Sequence, residues 1–393
     1  MKYKLLNTLL LTAMAAAFAP AAVATIWYVD GVSGSDGNNC TSATTACKTI
    51  GHAIEAAVSG DSIIVAPATY TENLSISKSL NILGSDAATT TVDGGGSGTV
   101  VTVSSISGQV TLSGMTIRNG AASTGGGIQN NAVLTLSSST VTGNSASYHG
   151  GGISNTGLLT INLSTISRNV AYKDCTKVCF ILGGGIFNSG SGTVTITNST
   201  IAGNSARNWG GGIYNGGTVT IRNSTISGNG ITEFGYGTAL INSTVSSFIQ
   251  VFSGSKVRLS SSTVTGGIFL AGGSVPGKAW ARNSIFANTS GANCVNGTIS
   301  SQGHNLSSDD SCDLDGWGDQ NNTNPMLGPL QNNGGPTQTM ALPSASPAID
   351  AGNPNGCTDN LGNLLKTDQR GIPRHDPEDT RGCDIGAYES QSD

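Results

Sequence analysis

Aromatic and polar side chains beside two glycine triplets offer the most distinctive chemistry in this sequence. Tyr148 and His149 directly precede the triplet at Gly150, and Trp209 directly precedes the triplet at Gly210. Tyrosine and histidine can transfer protons, and a flat aromatic ring can stack on the C–H face of a sugar. The other candidates for a binding surface are Arg207, Tyr214, Phe234 and Tyr236. Two interpretations stand: these rings cover bare glycine turns, or they contact carbohydrate, with Tyr148 and His149 as candidate catalytic residues.

Carboxylates, which most carbohydrate-cleaving sites require, are scarce in the middle of the chain. From residue 94 to residue 292 the only acidic residues are Asp174 and Glu233. A glycosidase needs two carboxyl groups at a set separation, and a calcium-dependent lyase needs several oxygen ligands together with a base. The sequence therefore disfavours both mechanisms. It leaves a metal-free lyase that uses Tyr, His, Lys and Arg side chains.

Acidic side chains are concentrated instead in the C-terminal segment DDSCDLDGWGDQNN. The four weak candidates for calcium ligands are Asp309, Asp313, Asp315 and Asp319. Their spacing lacks the glutamate that closes an EF-hand loop. We expect a solvated acidic loop here and no cofactor, with bound calcium as the alternative.

A repeat of about 25 residues must position the aromatic candidates. Each copy contains GGGI, an Asn two places later, and a strand-like segment such as TVTIRNSTISGN with alternating apolar residues. Such a unit cannot bury its inward face alone, whereas stacked copies can, with a rise of about 4.8 Å per coil. Glycine would supply positive φ angles and close chain approach. We expect two structural ladders of Asn side chains: Asn130, Asn155, Asn188 and Asn215, and Asn144, Asn169, Asn204 and Asn229.

Alignment of the copies on their first glycine predicts which residues lie side by side. With GYGT at Gly235 taken as a degenerate fifth copy, the residues before the triplet form one row: Thr124, His149, Leu182, Trp209 and Phe234. The neighbouring row is Ser123, Tyr148, Ile181, Asn208 and Glu233. One coil carries an insertion, AYKDCTKVCFIL, with Lys173 and Lys177 on it. Insertions on one side of a solenoid often form binding surfaces, although we favour a decorative loop.

This repeat pattern resembles that of right-handed parallel β-helix proteins of the pectin-lyase-like class. It is also similar to the GGAI/FxxN repeats of polymorphic outer-membrane proteins. The resemblance covers about residues 61–290 and implies an all-β fold, a single-stranded right-handed parallel β-helix. Lyases, hydrolases, epimerases and adhesins share this scaffold, so it does not identify a reaction. Residues 25–60 are predicted to form an N-terminal cap, because residues 48–58 give a helical apolar stripe: Ile50, Ala53, Ile54, Ala57 and Val58.

The C-terminal region, residues 291–393, resembles the choice-of-anchor Q domain. The matching residues are Gly303-His304-Asn305-Leu306, Pro325 and Leu327, Asn333-Gly334-Gly335-Pro336, Ser346-Pro347-Ala348-Ile349-Asp350, Asp368-Gln369-Arg370-Gly371 and Asp384-Ile385-Gly386-Ala387-Tyr388-Glu389. In that family a cell-surface anchoring signal often follows. Here the chain stops four residues after Glu389 without a hydrophobic tail, so we expect free secretion rather than covalent attachment.

The N-terminal residues and the cysteines indicate export. Residues 1–24 combine two lysines, an apolar stretch and an Ala-Val-Ala site, the pattern of a signal peptide. Eight cysteines occur as near neighbours, which favours short-range disulfides over a zinc site, although the sequence does not fix their connectivity: Cys40, Cys47, Cys175, Cys179, Cys294, Cys312, Cys357 and Cys383.

The charge content of the chain excludes several classes of partner. Only 10% of the residues are charged and the net charge is −5, which argues against nucleic acid and against an anionic membrane surface. No segment of the mature chain is predicted to span a membrane. We expect a secreted or surface-associated bacterial protein with a non-catalytic binding or structural role, and with polysaccharide or a cell-surface glycan as its partner. A polysaccharide lyase or related carbohydrate-active enzyme is the first alternative, and an adhesin is the second.

Overall fold

A computed structural model describes residues 24–174, 179–374 and 382–391 of the chain. The predicted signal peptide up to Val23, and Cys175 and Lys177 of the predicted loop, lie outside the described residues. Within the described part, no helix has the length and apolar character needed to cross a membrane.

Three parallel sheets run along the molecule, and each full coil contributes one strand to each sheet. We call them face 1, face 2 and face 3, in the order in which the chain visits them. The strands of face 1 are Ile26–Val29, Ser62–Val65, Asn81–Gly84, Gln109–Ser113, Val133–Ser137, Leu158–Asn162, Thr193–Thr197, Thr218–Arg222, Gly237–Ile241, Lys256–Ser260, Lys278–Arg282 and Ile299–Ser301. The strands of face 2 are Ala68–Thr71, Thr90–Asp93, Thr116–Arg118, Thr140–Thr142, Thr165–Ser167, Thr200–Ala202, Thr225–Ser227, Thr244–Val245, Thr263–Val264, Ile285–Phe286 and Leu306–Ser307. The strands of face 3 are Leu74–Ile76, Val101–Val103, Ile128–Asn130, Ile153–Asn155, Ile186–Asn188, Ile213–Asn215, Ile231–Glu233, Ile249–Val251, Ile268–Leu270 and Cys294–Val295.

The strands stack in register because alternate residues face the interior. Val194 and Ile196 are fully buried, while the threonines beside them are not. Val194 pairs with Val219 and Ile196 with Ile221 on the next coil, so like residues lie over like residues. A slip of one residue would expose this apolar row, which is why the register is tightly specified. The predicted parallel solenoid is confirmed.

A shorter parallel sheet lies between faces 2 and 3, and we call it the side ladder. Its strands are Ala121–Thr124, Ser145–His149, Val170–Ala171 and Ser205–Ala206. Single bridges extend it, since His149 pairs with Leu182, and Leu182 pairs with Trp209. The predicted row of residues before the glycine triplets is therefore confirmed from Thr124, which pairs with His149, as far as Trp209.

The glycine triplets return the chain from the side ladder to face 3. Gly150, the first of its triplet, has a φ angle of 66°, which side chains rarely permit. A Cβ atom on Gly151 would lie 2.6 Å from the Gly184 carbonyl oxygen, and one on Gly152 would lie 2.6 Å from that of Gly185. The first glycine of the triplet thus adopts the left-handed region of backbone conformation. The second and third glycines lie too close to the next coil to carry a side chain.

Both predicted Asn ladders are present, although the second is shorter than predicted. Its side chains bond to one another from Asn144 through Asn169 to Asn204, whereas Asn229 bonds to Asn204 only through the backbone of Asn204. In the ladder behind face 3, the Nδ2 atom of each residue donates to the Oδ1 atom of the next, at 2.7 Å from Asn130 to Asn155 and at 2.8 Å from Asn155 to Asn188 and from Asn188 to Asn215. These four side chains are fully buried. We call this row the face 3 ladder. Because buried amides need partners, the ladder fixes the spacing of the coils.

The predicted fifth copy at Gly235 is wrong. Ile231 pairs with Ile213, and Glu233 pairs with Asn215, so the coil after Asn229 omits the glycine turn. Glu233 occupies the position of the next Asn in the face 3 ladder, and Phe234 does not belong to the row of His149 and Trp209. The apolar register decided this pairing, because the inward isoleucines must stay buried.

A helix covers the N-terminal end of the solenoid. It spans Ile50–Ala56, begins at the N-cap Thr49 and buries Ile50, Ala53 and Ile54. Ala57 is also buried, but Val58 is 59% exposed, so its predicted place in the stripe is wrong. The helix ends before Val58 because Ala57 is already extended, with a ψ angle of 157°. A short 3₁₀ turn, Ala43–Thr45, precedes it.

The strand stack continues beyond residue 290, where we expected the solenoid to end, and finishes at Ser307. The following chain returns along face 2. Gln369 accepts a hydrogen bond from Thr244 Oγ1 at 2.7 Å and donates to Thr225 Oγ1 at 2.8 Å, and the Ala387 N–H donates to Thr263 Oγ1 at 3.1 Å. Leu330–Gln331 and Thr339–Met340 form an antiparallel pair within this region.

Three disulfides whose two cysteines both lie among the described residues join near neighbours, as expected. They are Cys40 with Cys47, Cys294 with Cys312, and Cys357 with Cys383. Disulfides persist in oxidising compartments, so these bonds indicate an extracellular protein.

Candidate functional site

Seven rings form a continuous strip along the outside of face 3, and we call it the aromatic strip. In order of contact they are His149, Phe187, Tyr214, Phe234, Phe252, Trp209 and Phe180. Successive ring centroids are 4.6, 5.5, 6.2, 4.8, 5.3 and 5.6 Å apart. The strip crosses five coils and is therefore about 20 Å long at the usual spacing of strands.

Strand alternation and the glycine turn together build the first part of the strip. Phe187 and Tyr214 are the middle residues of neighbouring face 3 strands, where the side chain points outward, and they pair in register. The turn at Gly150 folds the chain back, so that His149 stacks on Phe187 of the next coil, with an interplanar angle of 17°.

The second part of the strip depends on the shortened coils. Glu233 pairs with Val251, and Phe234 and Phe252 each follow one residue later. The Phe252 N–H donates to the Glu233 carbonyl oxygen at 3.0 Å, which holds the two phenyl rings side by side. Phe234 is 49% exposed, so this ring remains accessible from solvent.

A cationic corner lies at the His149 end of the strip. Lys173 Nζ donates to the Tyr148 hydroxyl oxygen at 2.6 Å and lies 4.4 Å from the centre of its ring. Arg207 donates to the Lys173 carbonyl oxygen and lies 3.7 Å from a carboxylate oxygen of the exposed Asp174. We call Tyr148, His149, Lys173 and Arg207 the Tyr148 corner.

The environment of His149 favours the neutral imidazole. Burial lowers the pKa of its imidazole, and its Nδ1 atom is buried with no hydrogen-bond partner among the described residues. A neutral imidazole stacks on Phe187 without the cost of burying a charge. His149 therefore forms a wall of the corner beside Tyr148, with 6.3 Å between the two ring centres.

Tyr172 borders the corner on the exposed side. Its hydroxyl donates to Asp174 Oδ1 at 2.7 Å, and this hydrogen bond raises the pKa of the phenol. The Arg207 guanidinium lies 5.7 Å from the centre of the Tyr172 ring.

The two carboxylates between residues 94 and 292 occupy different environments. Glu233 is fully buried in the face 3 ladder, where it accepts hydrogen bonds from Asn215 Nδ2 and the Gly235 N–H, both at 2.7 Å, and from the Thr238 hydroxyl. Burial raises the pKa of this carboxyl group. The side chain of Asp174 is 90% exposed. The pair does not line a common cleft, so a two-carboxylate hydrolysis is not available here.

Several predicted residues meet in this site and one does not. Tyr148, His149, Arg207, Trp209, Tyr214 and Phe234 all lie in the strip or in the corner. Tyr236 is 77% exposed and makes no ring contact with the strip among the described residues. Sequence reasoning missed Phe180, Phe187 and Phe252. Phe187 has the same place in GGGIFN as Tyr214 in GGGIYN, and the pair ITEF and IQVF would have revealed Phe252.

The predicted acidic cluster is engaged by the protein itself. Asp309 accepts hydrogen bonds from the Asn293 N–H at 2.9 Å and from Ser311, and Asp319 accepts them from the N–H groups of Asn305 and Gly316. Although burial opposes it, the hydrogen bonds hold the pKa of Asp309 below its usual value. In the described part of the chain, metal-ligating atoms converge only at Cys40, Cys47 and His52, where both sulfurs are in a disulfide. Calcium binding by this acidic segment stays a prediction.

Comparison with solved structures identifies the architecture. The chain superimposes on the crystal structure of pectate lyase Pel9A with a TM-score of 0.57, over 94% of this chain and 98% of that chain, at 16% sequence identity. This chain folds as a right-handed parallel β-helix. This β-helix also matches the GH136 lacto-N-biosidase from Eubacterium ramulus (TM-score 0.39, 10% identity, 72% of this chain and 64% of that chain) and the PL6 family alginate lyase AlyGC (TM-score 0.29, 14% identity, 81% and 57%). No protein-family model and no curated protein matches the sequence.

Proposed function

We propose that this β-helix protein is carbohydrate-active: it binds an acidic polysaccharide along the aromatic strip and cleaves it by metal-free elimination at the Tyr148 corner. The observation that carries the proposal is the continuity of the strip with the corner, since His149 belongs to both. Pel9A is a pectate lyase with the same fold. At 16% identity the likeness transfers no residue, so the roles below rest on this chain's own geometry.

The strip supplies binding and the corner supplies charge. The strip offers a continuous apolar surface to successive sugars, and its rings Phe180 and Phe234 are about half exposed. Lys173 and Arg207 offer cations at one end of this surface. A uronate ring stacked on the strip near His149 would place its carboxylate beside these two cations, which neutralise it.

Elimination requires a proton to move from carbon to oxygen. In this reaction the C–H bond next to the carboxylate breaks, its electron pair forms a carbon–carbon double bond, and the C–O bond to the leaving sugar breaks. The leaving oxygen then takes a proton. Tyr148 is assigned both transfers: its oxygen, deprotonated at the start and held by the Lys173 ammonium, takes the proton from carbon, and the resulting phenol gives that proton to the leaving oxygen.

Non-catalytic binding is the competing function. The near absence of carboxylates from the outer wall favours it, because a surface that only stacks and neutralises sugars needs no acid–base pair. The same strip would serve both functions, so the two differ only in whether Tyr148 turns over substrate.

We also propose a location outside the cell, in a bacterium. The three disulfides support export, and residues 1–24 have the pattern of a signal peptide. The resemblance of residues 291–393 to the choice-of-anchor Q domain is consistent with a place at or near the cell surface.

Polygalacturonate and alginate are the substrates that test the proposal. We expect an increase in ultraviolet absorbance from the unsaturated product, and a loss of at least about 100-fold in kcat for Tyr148→Phe, because the variant cannot transfer the proton. Tyr236→Phe is the matched control, since this exposed tyrosine lies outside the strip. If the protein binds these polymers without any rise in ultraviolet absorbance, only the non-catalytic function is left. If it neither binds them nor raises the absorbance, the proposal is overturned.

A further inference from the structure

The outer surface of face 1 changes character in its last coils. Its middle row is threonine over five successive coils and then departs from threonine: Thr111, Thr135, Thr160, Thr195, Thr220, Ala239, Arg258, Trp280 and Ser300. The row beside it changes from Thr193 and Thr218 to Lys256 and Lys278. Threonine suits a half-exposed strand, and lysine does not, so packing does not account for this change.

The new residues form a compact cationic patch. Lys256 and Lys278 lie directly opposite each other on adjacent strands, and both are exposed. The Arg258 guanidinium lies 5.0 Å from the centre of the Trp280 ring. Strands in a sheet are about 4.8 Å apart, so the two ammonium groups repel each other. We call Lys256, Arg258, Lys278 and Trp280 the face 1 patch.

No acid neutralises the patch in the described part of the chain. Other arginines of the molecule have carboxylate partners: Arg222 with Asp359 at 3.2 Å, and Arg118 with Asp93 at 2.8 Å. Among the described residues, no carboxylate lies within ion-pair distance of the three cations of the patch. A repulsive cluster without counter-charges, in a protein of net charge −5, is a cost that a bound anion would remove.

We propose that the face 1 patch is a second binding site, for an acidic polysaccharide. Trp280 provides an apolar face for a sugar ring, and the lysine pair meets the carboxylate or sulfate groups that such a chain carries at regular intervals. The patch lies on face 1 and shares no residue with the aromatic strip, so it would hold a polymer whether or not the Tyr148 corner is catalytic. Along the middle row the patch is bounded by the neutral residues Ala239 and Ser300, which limits the contact to a few sugars.

The experiment replaces the patch lysines with the residue that the repeat uses elsewhere. Binding of polygalacturonate and of dextran sulfate is measured by calorimetry on the full chain, with Phe187→Ser added throughout to interrupt the strip. We expect the pair Lys256→Thr and Lys278→Thr to weaken binding by about tenfold or more, and Trp280→Ala to do the same. The two polymers show whether carboxylate or sulfate is preferred. Lys48→Thr, on an exposed lysine before the N-terminal helix, should leave binding unchanged.

A stability measurement separates recognition from folding. Removing the like-charge pair should leave the denaturant midpoint of the lysine variant unchanged or higher while binding falls. Equal binding by the Phe187→Ser chain with and without the two lysine substitutions, equal affinity for neutral dextran, or tighter binding of duplex DNA than of either polymer would overturn the proposal. Loss of binding with Phe187→Ser alone would also contradict it, but would leave the function proposed for the strip intact.

Discussion

At the scale of single residues, Glu233 shows how one position can end a ladder. Asn215 Nδ2 donates to Glu233, and the next residue in the row is Val251, which has no hydrogen-bonding side chain. A carboxylate only accepts hydrogen bonds, so Glu233 closes the row without an unsatisfied amide N–H. The cost is a buried carboxyl group, whose pKa is raised by burial.

The raised pKa of Glu233 predicts that the free energy of unfolding depends on pH. Because the folded-state pKa of Glu233 lies above the unfolded-state pKa, the folded state binds the proton more tightly. The free energy of unfolding should therefore fall as the pH rises from the ordinary carboxyl pKa through the raised one, by about 1.4 kcal/mol for each pH unit between them. Denaturant unfolding of the wild type and Glu233→Gln at several pH values measures this difference. A constant difference between the two proteins would show that Glu233 does not titrate in this way.

At the scale of elements, the spacing of the coils depends on the glycine turn and on the face 3 ladder. The glycine turn brings neighbouring coils together, and the face 3 ladder holds them at that distance through buried amide bonds. The same turn places His149 on Phe187, so the feature that stabilises the coil also builds the site.

Asn188 tests the ladder. Its amide accepts from Asn155 and donates to Asn215 and to the Gly192 carbonyl oxygen, so Asn188→Ala leaves buried partners unsatisfied. We expect a loss of about 2–4 kcal/mol in the free energy of unfolding. Asn162→Ala, on the outer surface of face 1, is the control and should change it by less than about 0.5 kcal/mol. Equal effects of the two substitutions would contradict a stabilising ladder.

The sequence predicted the parallel coils, both Asn ladders and most residues of the strip, because the repeat shows which positions recur. It failed where the repeat shortens. Phe234 was aligned by its neighbouring glycine, whereas the chain aligned Ile231 on Ile213 to keep the interior apolar. The sequence predicted only part of the Tyr148 corner. It did not reveal the contact between Tyr148 and Lys173, because these residues are 25 positions apart and meet only when their coils stack.

At the scale of the whole molecule, the C-terminal region and the N-terminal helix determine which surfaces of the solenoid are exposed. The C-terminal region lies on face 2 of the later coils and reaches the adjoining end of the face 1 strands, where Arg222 and Arg282 donate to Asp359. Within this region Arg374 forms a buried ion pair with Glu389 at 2.8 Å. The N-terminal helix covers one end of the solenoid. The aromatic strip on face 3 and the patch on face 1 lie outside these contacts, so a polymer can reach both.

The affinity of the aromatic strip for polygalacturonate tests the central claim most directly. Calorimetry would compare chains with and without Phe187→Ser, in a background where Lys256→Thr, Lys278→Thr and Trp280→Ala disable the face 1 patch. Serine already occupies the matching position at Ser154, so the substitution suits the repeat. We predict at least about tenfold weaker binding for Phe187→Ser, and unchanged binding for Tyr236→Ser outside the strip. Equal affinity with and without the Phe187 ring would contradict the account.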